Sequence, residues 1–393
     1  MKARGCTPFP RRPYVVGKWP EGDKMDRRTV LGAGFALAAG SSLGGRVLAA
    51  DAPAGPPAQP HVGAKNLITD VPGLKVGQSE DVAVRTGVTV ILPDEAAVVA
   101  TDVRGGGPAT RETDATEPQN LVHAFDAVVL SGGSVYGLAS ADGVVSWLGA
   151  KGRGYGMASG PGIPKSPVVP AAALYDTANG GDKAWGVDPP YRALAMKAVE
   201  TAGDTFQLGT HGAGYGAMAG GIKGGIGSAS IVSAEGFTVG AIVAVNSAGG
   251  VVSPGTKQFW AAPLELNKEF GGLGSGDLRA LPEDFGARRM QPRKNTTIAL
   301  VATDAKLTTD EAKRVAMMAQ DGIAEAIRPA HTPFDGDVVF AMSTGKMELA
   351  EPRAFTVAKI GALAADTLAR AIARGVYEAT AYPGANTPTY KGL

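Results

Sequence analysis

An asparagine and a threonine at the mouth of an apolar run, Asn295-Thr296-Thr297-Ile298-Ala299-Leu300-Val301, carry the groups needed to break their own backbone. The Thr296 hydroxyl can attack the Asn295 carbonyl, shift the acyl group from nitrogen to oxygen, and leave an ester for water to open. Thr296 would then begin a new chain, with nucleophile and base in one residue. A free α-amine has a pKa of about 8, so it titrates close to neutrality and can take the hydroxyl proton. The same residues also suit an ordinary strand start, and Asn-Thr-Thr fits a glycosylation acceptor pattern.

Other polar residues are of types that could assist such a nucleophile. Asp335 and Asp337 lie two apart before the apolar run 338–341, so on an extended chain both face one side. A carboxylate beside an N-terminal threonine can orient its amine and hold its positive charge; a polar Asp-Gly-Asp turn is the alternative. Asn246 ends the apolar run 239–245, where its amide can donate to an oxyanion or simply start a turn. On the residues alone, Tyr175 reads as a half-buried structural tyrosine. Lys223, set among glycines at 221–227, reaches either the nucleophile or solvent.

Several motifs lead nowhere. Gly132-Gly133-Ser134-Val135-Tyr136 has tyrosine where an esterase elbow needs glycine, although Ser131, Gly132, Gly133 and Ser134 still read as a strand-to-helix turn expected to line a substrate pocket. Gly212, Gly214 and Ala217 have the spacing of a dinucleotide fingerprint, but no strand precedes them. Ser343-Thr344-Gly345-Lys346 follows a strand without its partner motifs and reads as structural. The four histidines are scattered, and the single cysteine, Cys6, lies upstream of the mature chain, so no metal site is expected. No cofactor is expected either, because the chain itself supplies nucleophile and base.

The elements that must position these residues follow from pattern. Residues 87–92 and 96–103 read as paired strands around Pro93-Asp94, and 127–130 as a strand leading to a helix at 134–148. A helix is expected at 189–202, with proline at its start, and a hairpin from 229–232 and 238–245. The segment 249–294 is a long irregular excursion towards the proposed cut. Beyond it come a strand at 298–302, a helix at 309–327 capped by Thr308 or Thr309, a strand at 338–341 and a helix at 358–373. This order does not repeat βαβ units, so the expected class is α+β, with sheets packed on one another and helices outside.

Asn-Thr-Thr-Ile, Val-Ala-Thr-Asp-Ala and Thr332-Pro333-Phe334-Asp335-Gly336-Asp337 together resemble the P1/S58 (DmpA-type) peptidases, over about residues 66–381. They look most like the nylon-oligomer hydrolase branch, which cuts itself at Asn-Thr; commoner members have serine and glutamate where this chain has threonine and aspartate. The resemblance implies an αββα four-layer sandwich, shared with ornithine acetyltransferases, and one domain built from both fragments, 51–295 and 296–393. It implies Thr296 as nucleophile, Asn246 and Tyr175 at the oxyanion, Asp335 and Asp337 about the amine, and a contact from Lys223. It also implies substrates with amide or ester bonds: small peptides, including β- or D-residues, or amino-acid oligomers. A homo-oligomer of αβ units is expected on the same ground. The alternatives are acyl transfer to an amine and a binding protein in which Asn-Thr is incidental.

A net charge of +1 over 393 residues gives no electrostatic case for nucleic acid or an anionic membrane. Arg27-Arg28 before an apolar Gly/Ala-rich run ending at Ala50 describes a twin-arginine-like leader over 1–50, hence a periplasmic enzyme with no membrane partner once the leader is removed. Met25 offers an alternative start. A Pro/Ala-rich tether covers 51–65, and the hydrolase domain 66–393.

Overall fold

Two five-stranded sheets are stacked face to face in the computed structural model, which describes residues 59–156, 160–276 and 295–393. The expected leader, most of the tether and the stretch 277–294 lie outside the described residues. The first sheet has the order β1 (Leu74–Asp81), β2 (Thr86–Pro93), β5 (Val128–Ser131), β6 (Ala171–Ala173), β4 (Thr110–Arg111). The second has the order β3 (Val98–Val103), β12 (Val338–Met347), β11 (Thr296–Ala305), β10 (Thr238–Asn246), β9 (Ile226–Val232). A short hairpin, β7 (Met218–Ala219) and β8 (Ile222–Lys223), stands apart.

Side-chain alternation along each strand builds the layers. In β10 and β11, Ile242, Ala244, Ile298 and Leu300 point between the sheets and meet Val76, Ile91 and Leu130 of the first sheet. Their neighbours Val243, Val245, Ala299 and Val301 point the other way, onto α3 (Thr309–Ala326) and α4 (Arg353–Tyr377). The outer face of the first sheet, through Val88, Val90 and Val129, packs on α1 (Ser140–Ala150) and α2 (Tyr191–Glu200). The result is the expected αββα sandwich. On α4, Ile360, Ala364, Leu368 and Ile372 recur every four residues and form its buried stripe.

Strand direction matters most for the site. β11 and β12 run parallel, and a parallel pair needs a crossover, which α3 supplies. Thr308 caps that helix, accepting from the Glu311 N–H, while the Glu311 carboxylate accepts from the Thr308 N–H at 2.9 Å. β10 runs antiparallel to β11, in a register that sets Asn246 opposite Thr296. The end of β10, the start of β11 and the approach to β12 therefore meet at one edge of the sandwich.

Two expectations need correction, and one strand was not anticipated. Residues 87–92 and 96–103 do not pair: β2 lies between β1 and β5, whereas β3 joins the other sheet beside β12. Both runs are apolar, and apolarity reports burial without naming a partner. β1 was not expected, because Gln78, Ser79, Glu80 and Asp81 disguise its alternation. The helix expected over 134–148 is a 3₁₀ segment, Ser134–Ala139, followed by α1.

Candidate active site

Thr296 is the first residue of β11 and is almost fully buried. Its Oγ1 donates a short hydrogen bond to the carbonyl oxygen of Asn295, so hydroxyl and candidate scissile carbonyl already touch. The same oxygen accepts from the Gly336 N–H at 3.1 Å. Across the strand, the Asn246 side chain is held from both ends: Oδ1 accepts from the Met218 N–H at 2.9 Å, and Nδ2 donates to the Tyr175 carbonyl at 3.0 Å.

Asp335 and Asp337 are buried just before β12, and they face different partners. Asp335 Oδ1 accepts from the Ala248 N–H at 3.0 Å, and its Oδ2 accepts from the Thr332 N–H and hydroxyl. Asp337 Oδ1 accepts from the Thr297 N–H at 2.7 Å, one residue past the candidate cut. Its Oδ2 accepts from the His331 N–H at 3.1 Å and lies 2.9 Å from His331 Nδ1. Burial raises the pKa of Asp335, and the nearby charge of Asp337 raises it further.

A glycine loop fixes this segment from outside. The N–H groups of Arg104 and Gly105 donate to the Asp337 carbonyl, that of Gly106 to Thr332, and that of Gly107 to Asp335 at 2.8 Å. The loop lies so close that a Cβ on Gly105 would fall 2.2 Å from the Asp337 nitrogen.

Beside Asn295 opens a pocket of about 280 Å³, lined among others by Tyr175, Asn179, Met218, Gly221, Asn246 and Ala248. Tyr175 is half-buried there, two residues beyond β6. Lys223 lies in neither of its expected places. It is wholly buried, and Nζ donates to the carbonyls of Gly214, Ala217 and Gly224 at 2.9–3.2 Å. Burial pushes its ammonium down to about 7, an effect the Asp176 carboxylate opposes. Backbone carbonyls are the nearest acceptors because the glycines bring main chain around the lysine where side chains would otherwise stand.

Ser131, Gly132, Gly133 and Ser134 do not line the pocket. They stand behind Asp176, which does line it and which the sequence reading passed over. Asp176 Oδ2 accepts from the Thr86 hydroxyl at 2.7 Å and Oδ1 from the Gly133 N–H at 2.8 Å. Burial raises its pKa to about 6. Only its place next to Tyr175 could have drawn attention to it. No cluster of histidine, cysteine and acidic residues among the described residues could hold a metal ion.

The sequence profile of peptidase family S58 matches residues 66–390. An uncharacterized aminopeptidase of Mycobacterium tuberculosis is 42% identical over 358 residues, spanning 84% of this chain and 98% of its own. The 6-aminohexanoate-oligomer endohydrolase of Paenarthrobacter ureafaciens is 26% identical over 303 residues, 73% of this chain and 77% of its own. Among solved structures, the L-aminopeptidase D-Ala-esterase/amidase of Ochrobactrum anthropi, described as a variant of the Ntn-hydrolase fold, superposes with a TM-score of 0.61. It covers 84% of this chain and 90% of its own at 22% identity.

Proposed function

The chain belongs to peptidase family S58 and is a hydrolase, and from that premise we propose that it cuts itself between Asn295 and Thr296 and then uses Thr296 as an N-terminal nucleophile. The observation that carries this reading is the contact between Thr296 Oγ1 and the Asn295 carbonyl, held at the convergence of three strand ends. Oγ attacks that carbon and the C–N bond breaks. The proton passes from hydroxyl to the leaving amine, and water hydrolyses the resulting ester. The products are a carboxylate at Asn295 and a free amine on Thr296. They remain one body, because β10 of one fragment pairs with β11 of the other, as β3 does with β12.

In turnover the Thr296 amine takes the hydroxyl proton, Oγ forms an ester with the substrate acyl group, and the amine returns the proton to the leaving amine or alcohol. Water then releases the acid by the same route reversed. Asn246 and the Tyr175 hydroxyl stabilise the oxyanion, and Asp335 with Asp337 poise the amine. Lys223 acts by packing the main chain beneath the pocket. Substrates are short amide- or ester-linked compounds, peptides with α-, β- or D-residues or amino-acid oligomers. The relatives' names, aminopeptidase and oligomer endohydrolase, support that range. We also place the enzyme in the periplasm after removal of residues 1–50, as an oligomer of αβ units.

Intact-mass analysis of the purified protein tests the reading. Two species are expected, the smaller beginning Thr-Thr-Ile, and Thr296→Ala should leave one chain. A wild-type chain that is folded and unbroken would end the proposal.

A further inference from the structure

Resting on the self-cleavage reading, we propose that the backbone N–H of Gly336 is the oxyanion donor of that step. The oxygen that must become negative when Thr296 attacks is the Asn295 carbonyl oxygen, and the Gly336 nitrogen lies 3.1 Å from it in the uncut chain. An oxyanion donor acts by pointing at developing charge before the reaction begins, so no reorganisation is needed as the charge appears.

The aim of this N–H is fixed by the fold. The Asp335–Gly336 peptide is planar and trans, so its carbonyl and its N–H point in opposite directions. Gly107 donates to that carbonyl at 2.8 Å, which turns the Gly336 N–H towards Asn295. The neighbouring carboxylates lock the same segment, Asp335 through Thr332 and Ala248, Asp337 through Thr297 and His331. Residue 336 also has to be glycine: a Cβ there would meet Thr296 Oγ1 at 2.8 Å and the Gly107 carbonyl at 2.7 Å. The two aspartates thus gain a second purpose, since they hold between them the peptide that faces the attacked carbonyl. Asn246, whose amide accepts from Met218 and donates to Tyr175, lies across the strand, and its proposed role is in turnover.

The test replaces Gly336 with glycolic acid by nonsense suppression in cell-free translation of the full chain, exchanging N–H for an ester oxygen without adding a side chain. Conversion to two fragments is followed by mass spectrometry, and folding by the thermal melt of the same variant on a Thr296→Ala chain. Self-cleavage is expected to slow by about 10²–10³-fold, the usual effect of deleting one oxyanion donor. Cleavage within threefold of the unsubstituted chain overturns the proposal while leaving self-cleavage intact. An unsubstituted chain that never cuts overturns the underlying reading instead.

A second measurement needs no change at residue 336. In Thr296→Ala protein labelled with ¹⁵N-glycine and ¹³C′-asparagine, a coupling across the hydrogen bond should join Gly336 N to Asn295 C′. Its absence also overturns the proposal.

Discussion

Asp176 is a buried carboxyl with neutral donors at both oxygens, and its desolvation outweighs the opposing charges of Lys183 and Lys223, so the fold bears a cost whenever it ionises. Moving a carboxyl from 3.8 in the open chain to about 6 in the fold corresponds to about 3 kcal/mol. Between those two values the folded chain binds this proton more tightly than the unfolded one. Unfolding free energy therefore falls as pH rises from about 4 to about 6, and stays lower above that. The substitution Asp176→Asn should escape this loss. The oxygen of the new amide can keep the Gly133 N–H, and its nitrogen can donate to the Thr86 hydroxyl, which accepts as readily as it donates. Urea unfolding of Asp176→Asn and its parent, both on a Thr296→Ala chain, should give equal stabilities near pH 4. By pH 7 the asparagine variant should be the more stable by about 3 kcal/mol, with the change centred between pH 4 and 6. A difference that is flat with pH, or that favours the aspartate at pH 7, would refute the reasoning.

Three further outcomes follow from the same geometry. Asp337→Asn keeps one acceptor for the Thr297 N–H but turns a donor towards His331, so it should cost about 2–3 kcal/mol in denaturant unfolding and slow the appearance of fragments. Gly105→Ala forces a Cβ against the Asp337 backbone; about 1–3 kcal/mol of overpacking should lower the melting temperature, and self-cleavage should slow with it. Glu269→Gln leaves Arg370, buried and paired to that carboxylate through Nε and Nη2, without its counter-charge. A loss of about 3–5 kcal/mol is expected in urea, with no change in the rate of self-cleavage, because this pair stands apart from Thr296.

The chemistry proposed for this chain rests on residues that are legible where they are local. Asn295-Thr296 announces itself because the attacking group and its target are neighbours in sequence, and strand, cap and helix around them follow from short-range patterns such as the Thr308 capping box. The doublet Asp335/Asp337 could be marked as a pair, although not as two carboxylates with separate partners. Asp176 was missed because burial beside Thr86, some ninety residues away, has no local signature. The pairing of 87–92 with 96–103 failed for a related reason, since a run buried on both faces says nothing about which sheet it enters.

By itself, the order of residues marked the bond we propose to break and the side chain proposed to break it, because bonded neighbours are held together in every conformation. Folding alone decided what surrounds that bond. The parallel course of β11 and β12 brings two segments some forty residues apart to one edge, and a planar peptide pinned by Gly107 aims an N–H at the carbonyl. Main-chain donors are the same at every residue, so only their placement in space distinguishes one from another.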